Sequence, residues 1–259
     1  MNKSELKNIA NSLLETFVEA GNLAKKIAHR GVKITIKADK TPVTDGDLEV
    51  DKILKSKILS LTPKIPIISE ETVKVNKENK HKSFWLIDPI DGTKEYIKKK
   101  DEYTLNAALI INLEPALGVV YAPEKDRLFY SYGHDNAYEV SNGKVTTLNC
   151  KKKTEKGKVF ALHYSFELTP DILNIHKENH VSKFVKMSSS LKFCIIAAGE
   201  SDIYVSGPRA YEWDIAAGHA ILEHSGGLIT TIDGKKILYG KKGFKNPGII
   251  LKRSNNLSQ

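Results

Sequence analysis

One segment constrains the fold of this chain more than any other: Trp85-Leu86-Ile87-Asp88-Pro89-Ile90-Asp91-Gly92-Thr93. An apolar strand runs straight into two carboxylates. Pro89 locks its own φ and keeps Asp88 extended. Asp91-Gly92 reads as a tight turn, and Thr93 suits the opening of a helix. Two acids on a rigid turn at a strand end converge on one spot. Hard cations such as Mg²⁺ take oxygen ligands, commonly one or two carboxylates together with water and substrate phosphate oxygens. A turn ahead of a helix also offers backbone N–H groups to a phosphate. Turn and cap roles would suffice for a lone Asp-Gly pair and stay the alternative here, but the apolar strand that leads into two acids favours the metal reading over them.

The rest of the chain reads as mixed α and β in layers. Residues 4–30 predict an amphipathic helix, with Leu6, Ile9, Leu13, Phe17, Ala20, Ala24 and Ile27 at three- and four-residue steps and Gly31 as its end. Ile34-Thr35-Ile36-Lys37 alternates like a strand. A second helical pattern runs through Val50, Ile53, Leu54, Ile58 and Leu61 until Pro63 stops it. Strands are expected at 65–68, 84–87, 105–111, 116–121 and 128–130, with turns at Gly133-His134-Asp135 and Asn142-Gly143. The charged connection 151–158 is the expected boundary between two halves, 1–150 and 151–259. The second half alternates: strand 159–162, helices 171–177 and 191–198, strand 202–205, helix 213–223, and strands 228–232 and 248–251.

Lys+Arg 40 against Asp+Glu 31 leaves a net charge of +9, which favours anionic partners: nucleic acid, a membrane surface or phosphorylated small molecules. The lysines are spread along the chain, as ordinary surface residues are. No nucleic-acid-binding module and no stacking platform with interleaved basic residues is present. Two cysteines, Cys150 and Cys194, exclude a disulfide framework or a zinc set and suit a reducing compartment. The N-terminal residues do not read as a signal peptide, and no apolar run is long enough to cross a bilayer. A cytoplasmic protein is expected, with peripheral association with the inner membrane compatible. Phosphate-loop, dinucleotide and serine-hydrolase motifs are absent. His163 and His219 read as surface or half-buried polar residues, and Cys194 as core.

Further acids sit at element ends. Ile67-Ile68-Ser69-Glu70-Glu71 is another apolar strand ending in acids, and Glu70, nearer the strand, is expected to turn inward. Asp214 falls in the first turn of the helix that Trp213 opens, where a carboxylate suits the helix dipole, and Ala216, Ala217 and Gly218 allow close backbone packing. Thr44-Asp45-Gly46-Asp47 reads as a capping box. A second reading gives Asp47 a hydrogen bond from Thr93, so that the threonine hydroxyl orients a water.

These acidic elements, in this order, resemble the inositol monophosphatase superfamily of Mg²⁺-dependent, lithium-sensitive phosphatases. The matching pieces are Ser69-Glu70-Glu71, Asp88 to Thr93 and Trp213 to Gly218, followed by Glu223-His224-Ser225-Gly226-Gly227. Finer details are similar to the CysQ-type 3′(2′),5′-bisphosphate nucleotidase branch. These are Lys37 to Thr44, Gly92-Thr93-Lys94-Glu95-Tyr96-Ile97, Asp101 to Asn106, Gly118 to Pro123 and Ser189 to Cys194. The resemblance implies an α/β αβαβα sandwich with a three-metal Mg²⁺ mechanism. By position, Glu70, Asp88 and the backbone carbonyl of Ile90 hold one Mg²⁺. Asp88, Asp91 and Asp214 hold a second, and Glu70 helps place a third. Gly92 and Thr93 offer N–H groups to the scissile phosphate, and Asp47 and Thr93 orient the attacking water. Ser189, Lys192 and Asp214 are implied substrate contacts.

The expected activity is hydrolysis of the 3′-phosphate of adenosine 3′,5′-bisphosphate, with an inositol or sugar phosphate monoesterase as the alternative. The expected partner is a small phosphorylated substrate, not a nucleic acid polymer, with no transmembrane segment; a homodimer is compatible. Two positions depart from the nucleotidase branch. Val205-Ser206 stand where a basic residue often follows the strand, with Arg209 three residues later, and Phe166 replaces a common His, with His163 nearby.

Overall fold

The computed structural model describes residues 1–38, 40–73, 79–151 and 157–257. Helix α1 (Lys3–Arg30) forms on the anticipated apolar stripe, and Asn2 caps it in a reciprocal bond pair with Glu5. A short antiparallel pair follows, β1 (Ile34–Ile36) with β2 (Pro42–Thr44). Thr44 then caps α2 (Asp45–Leu61), with Asp47 closing the capping box.

The next strands are β3 (Ile67–Ser69), β4 (Phe84–Asp91), β5 (Thr104–Ile111), β6 (Glu114–Ala122), β7 (Arg127–Ser131), β8 (Ala137–Ser141) and β9 (Lys144–Thr147). They form one sheet in chain order, with the short helix α3 (Thr93–Ile97) between β4 and β5. The second half contributes β10 (Val159–His163), α4 (Pro170–Glu178), β11 (Val181–Lys186), α5 (Leu191–Ala197), β12 (Ile203–Ser206), α6 (Glu212–His224), β13 (Leu228–Thr231) and β14 (Ile249–Lys252). Its five-stranded sheet has the order β11-β10-β12-β14-β13.

Alternation along β4 shows how the layers stack, because successive strand side chains leave opposite faces. Trp85 and Ile87 pack with Leu13 and Phe17 of α1 and Val50 and Leu54 of α2. Phe84 and Leu86 pack with Phe193 and Ile196 of α5 and with Ala217 and Ile221 of α6. Leu162, Tyr204 and Leu251 of the second sheet close on the same two helices. Ala161, Ile203 and Val205 on its other face meet Ile172 of α4. The order is therefore helix, sheet, helix, sheet, helix, the αβαβα sandwich that the resemblance implies.

Several local expectations are corrected. The apolar strand does not stop at Asp88. β4 continues to Asp91 through a break in register against β5, where Pro89 and Ile90 form the irregularity. A proline is tolerated in a central strand at such a bulge, because no ladder hydrogen bond is asked of it there. Strands β2, β8, β9 and β11 were not anticipated; β8 and β9 meet across Asn142-Gly143, where both residues have positive φ. His163 and His219 are buried rather than surface residues, and His219 shares a hydrogen bond with the Tyr239 hydroxyl at 2.8 Å. Cys194 lies in the core as anticipated. The central part of the expected boundary, 152–156, lies outside the described residues, as does Asp39.

Helix α6 lies unusually close to the sheet. A Cβ built on Gly118 of β6 would come within 2.4 Å of the Ala217 carbonyl oxygen. That approach seats the α6 N-terminus, and so Asp214, over the end of β4. Gly118→Ala is expected to lower stability by about 1–3 kcal/mol, the usual cost of overpacking a close contact. Urea denaturation at constant m-value measures it; an unchanged midpoint would show that the helix has room to move.

Candidate active site

The carboxylates arrive from three elements. β3 pairs in parallel with β4, Ser69 opposite Ile87, and the Glu70 amide donates to the Ile87 carbonyl at 3.0 Å. Glu70 therefore leaves the sheet beside Asp88. Asp214 comes from the first turn of α6, where its Oδ2 accepts the Tyr211 amide at 2.8 Å. One carboxylate oxygen from each of Glu70, Asp88 and Asp214 lies within 4.8 Å of the others. Asp91, beyond the bulge, is fixed separately by the Ser190 amide, which donates to its Oδ2. Ser190 is itself tied to Asn106 of β5 at 2.6 Å.

Asp88 is 2% exposed, and its Oδ1 is buried without a hydrogen-bond partner. An unpaired buried carboxylate oxygen is costly, and Asp88 carries one while clustered with two other carboxylates. Burial, then Glu70, Asp91 and Asp214 in that order, push the Asp88 carboxyl well above its ordinary range. Asp214 is raised by burial and then by Asp91 and Glu70. Asp91 is pushed up to about 6 by burial, although Lys192 and the Ser190 amide pull it down. An all-oxygen group of this kind, with one oxygen unsatisfied, fits a hard divalent cation.

The second expected pairing is also present. The Thr93 hydroxyl lies 3.3 Å from Asp47 Oδ1 and 3.2 Å from the Ile90 carbonyl, either of which can take its single proton. Asp47 is therefore both a capping-box member and a partner of Thr93, since its Oδ2 accepts from the Thr44 amide. Burial raises Asp47 to about 6, against the lowering effect of its bonds to Thr44. Gly92 precedes Thr93 in left-handed backbone at φ 96°, and a Cβ there would stand 3.1 Å from the Glu102 carbonyl oxygen. Only glycine suits that position without strain.

A cavity of about 370 Å³ opens beside these groups. Glu70, Asp91, Gly92, Thr93 and Asp214 line it, and Ser189, Lys192 and Arg209 line it as well. Asp88 and Ile90 are buried, and the Asp47 carboxylate lies 3.3 Å from the hydroxyl of the lining residue Thr93. Lys192 is not a surface helix lysine; it is 6% exposed, donates to the Ser189 carbonyl and is pushed down to about 8 by burial.

Two features escaped the sequence reading. Glu71, expected to be the less inward acid, has the more covered side chain, 3% against 29% for Glu70. It turns toward the interior beside Asp47 and Asp51, while Glu70 faces the cavity. Lys37 joins them, 3.3 Å from Glu70 and 2.8 Å from Glu71. Its position after a three-residue strand carried no signal for this role.

The profile of the inositol monophosphatase family matches residues 4–256, and the chain belongs to that family. It is a phosphatase of this family. It is 37% identical over 255 residues to 3′(2′),5′-bisphosphate nucleotidase CysQ of Buchnera aphidicola subsp. Acyrthosiphon pisum, covering 94% of each chain. The crystal structure of CysQ from Bacteroides thetaiotaomicron superposes with a TM-score of 0.75 at 26% identity, over 96% of this chain and 97% of that one. A third structure, an IMPase/NADP phosphatase complexed with Mg²⁺ and phosphate, shares the fold at a TM-score of 0.77 and 18% identity, covering 98% and 92% of the two chains.

The electrostatics set a pH dependence for the chelated protein. Asp47, Asp88, Asp91 and Asp214 all have folded pKa values above their unfolded values. The folded state then holds more protons, so stability is fullest below about pH 4 for these groups and falls as pH rises through about 6 and beyond. In EDTA, Asp88→Asn is expected to gain stability relative to wild type as pH rises from 5 to 8. Melting temperatures of the two proteins across that range test it. A constant difference would mean that the carboxylates do not repel one another.

Proposed function

We propose that this chain is a Mg²⁺-dependent phosphatase that removes the 3′-phosphate of adenosine 3′,5′-bisphosphate, giving AMP and phosphate. The observation that carries the reading is the cluster of Glu70, Asp88 and Asp214, in which a buried Asp88 oxygen has no hydrogen-bond partner, beside a cavity that Lys192 and Arg209 also line. The named activity of the Buchnera relative supports the substrate.

On this reading Glu70, Asp88, Asp91, Asp214 and the Ile90 carbonyl hold Mg²⁺. Bound Mg²⁺ supplies the positive charge that lets a phosphate monoester approach carboxylates and that eases deprotonation of the attacking water. The chain's own residues do the rest. Thr93 orients the water through its hydroxyl. Asp47, bonded to that hydroxyl and with its proton affinity near neutrality, draws the proton away. The backbone N–H groups of Gly92 and Thr93 hold the scissile phosphate. Lys192 and Ser189 take the phosphate that stays, and Asp214 also contacts the substrate. The halves 1–150 and 151–259 then divide the work. The first supplies most of the cation ligands and the water-orienting pair, and the second supplies Asp214 and the substrate contacts.

The test is a phosphate-release screen across nucleotide bisphosphates, inositol phosphates and sugar phosphates, with Mg²⁺ or EDTA. Release from the bisphosphate is expected to lead, to stop on chelation and to be inhibited by lithium. Activity that survives exhaustive chelation would remove the metal from the mechanism, and a preference for inositol 1-phosphate would assign the other branch. Asp88→Asn is expected to abolish turnover and to weaken Mg²⁺ binding in calorimetry while circular dichroism stays that of wild type.

Thr93→Ala is expected to lower kcat by roughly 10²–10⁴-fold, the range for positioned proton-transfer groups, with Mg²⁺ affinity little changed. Asp47→Asn should behave alike, and the double variant should be little worse than either. Multiplicative losses in kcat would show that the two residues act independently.

A further inference from the structure

Asp214 is the member of the carboxylate cluster that no strand carries. It sits in the first turn of α6, and Asp91 and Glu70 repel its charge there. A helix is weakest at its first turn, where backbone groups lack intrahelical partners and fraying begins. Repulsion on Asp214 therefore acts where α6 can least resist it, and the restraint has to come from outside the helix. Two residues ahead of Asp214 stands a second acid with a different environment. Glu212 is fully buried, and both of its carboxylate oxygens are engaged. Its Oε2 accepts the Gly240 amide at 2.8 Å, while its Oε1 accepts the Lys241 amide at 2.8 Å and lies 2.8 Å from the Lys241 ammonium. Hydrogen bonds to an ionised acceptor are roughly twice as strong as neutral ones.

Gly240 and Lys241 belong to a strap, residues 239–246, within the connection between β13 and β14. The strap follows α6 from its middle to its start. The Tyr239 hydroxyl lies 2.8 Å from Nδ1 of His219, two turns into the helix. Phe244 packs its ring 5.7 Å from that of Trp213. Lys245 pairs with Tyr211 in an isolated antiparallel bridge, and the Asn246 amide donates to the Ala210 carbonyl at 2.9 Å. Glu212 is the charged anchor in this series, placed between His219 and Tyr211. An acid in a first turn suits the helix dipole even when it is exposed. Full burial against two strap amides and a lysine asks for a further reason.

We propose that Glu212 is a positioning residue for the cation site: by tying the first turn of α6 to residues 240–241, it holds Asp214 beside Glu70 and Asp88. The inference rests on the reading above that Asp214 helps to hold Mg²⁺. Glu212 is itself covered, so its effect passes through the backbone of the turn to Asp214. The arrangement sets three donors on one carboxylate against the repulsion felt by the other. It keeps the cluster assembled before a cation arrives, so that binding does not have to order the helix end at the same time.

The experiment titrates Mg²⁺ into the chelator-stripped full chain by calorimetry, with melting temperatures in EDTA recorded alongside. Glu212→Ala is expected to weaken Mg²⁺ binding by roughly 10–100-fold, the range for groups that support metal ligands from outside the coordination sphere. Glu212→Gln keeps the shape and one acceptor, and serves where the alanine variant does not fold; its expected loss is about tenfold, the lower end of that range. Tyr239→Phe breaks a different anchor of the same strap. It should lower the melting temperature in EDTA and leave Mg²⁺ affinity at the wild-type value. Folded Glu212→Gln that melts earlier but binds Mg²⁺ as wild type does would give Glu212 a purely structural role and overturn the inference, leaving the Mg²⁺ reading intact. Equal losses of affinity in Tyr239→Phe and Glu212→Gln would overturn it as well, because any loosening of the strap would then suffice. Wild-type protein that binds no Mg²⁺ would overturn that reading, and this inference with it.

Discussion

Three carboxylates held within 4.8 Å of one another is an arrangement that folding does not favour by itself. Each acid is raised by burial and by its neighbours, so the cluster opposes the compact state unless a cation joins it. Everything around it serves to hold it in place. β3 and β4 run parallel so that Glu70 and Asp88 leave the sheet side by side, and the bulge at Pro89-Ile90 resets the strand so that Asp91 follows. The glycine contact between β6 and α6 lets Asp214 close over them. Two apolar layers, one on each face of β4, hold that geometry. The apolar burial of the sandwich offsets a local electrostatic cost that function requires.

How much of this was legible in the sequence depends on the range of the interaction. Local signals were clear. The stripe of α1, the capping box of Thr44 and Asp47, and the apolar run into Asp88 each state their structure within a few residues. β9 of the edge hairpin was missed because an exposed strand has no apolar alternation to read. All four residues of β9 are exposed, and only the Asn142-Gly143 turn announced it. β11 escaped for the same reason.

The site was legible in its acids and obscure in its supports. An acid at the end of an apolar strand is visible as a pattern, so Glu70, Asp88 and Asp91 were found from the chain itself. Lys37, which arrives from another element, pairs with both Glu70 and Glu71, and Asp47 and Asp51 stand close enough to Glu71 to raise its carboxyl. Strand proximity favoured Glu70 as the inward acid, and Glu70 does join the carboxylate cluster and line the cavity, although the Glu71 side chain is the more covered of the two. His163 and His219 were read by residue type as surface or half-buried groups, and both are buried. Partners distant in sequence, such as Tyr239 for His219, are what make such burial affordable.

The net charge of +9 gains a location from the structure. Most of it is spread over the surface, where a charge contributes to solubility and steering and little to stability. Lys37 and Lys192 are exceptions, since both carry their charge in or beside the site, and Arg209 lines the cavity as well. The cavity thus brings together acids, Glu70, Asp91 and Asp214, and cations, Lys192 and Arg209. A divalent cation answers the first and an anionic ligand the second. Each makes the other's binding easier, because the charge it brings is opposite to the charge the other must approach. By linkage that coupling is reciprocal, so a phosphate-bearing ligand should bind more tightly with the cation in place, and the cation more tightly with the ligand. The same coupling returns to the fold. A ligand held at one hundred times its dissociation constant adds about 2.7 kcal/mol to folding stability, enough to offset much of what clustered carboxylates cost. The site that strains the sandwich when empty becomes, when filled, one of the things that hold it together.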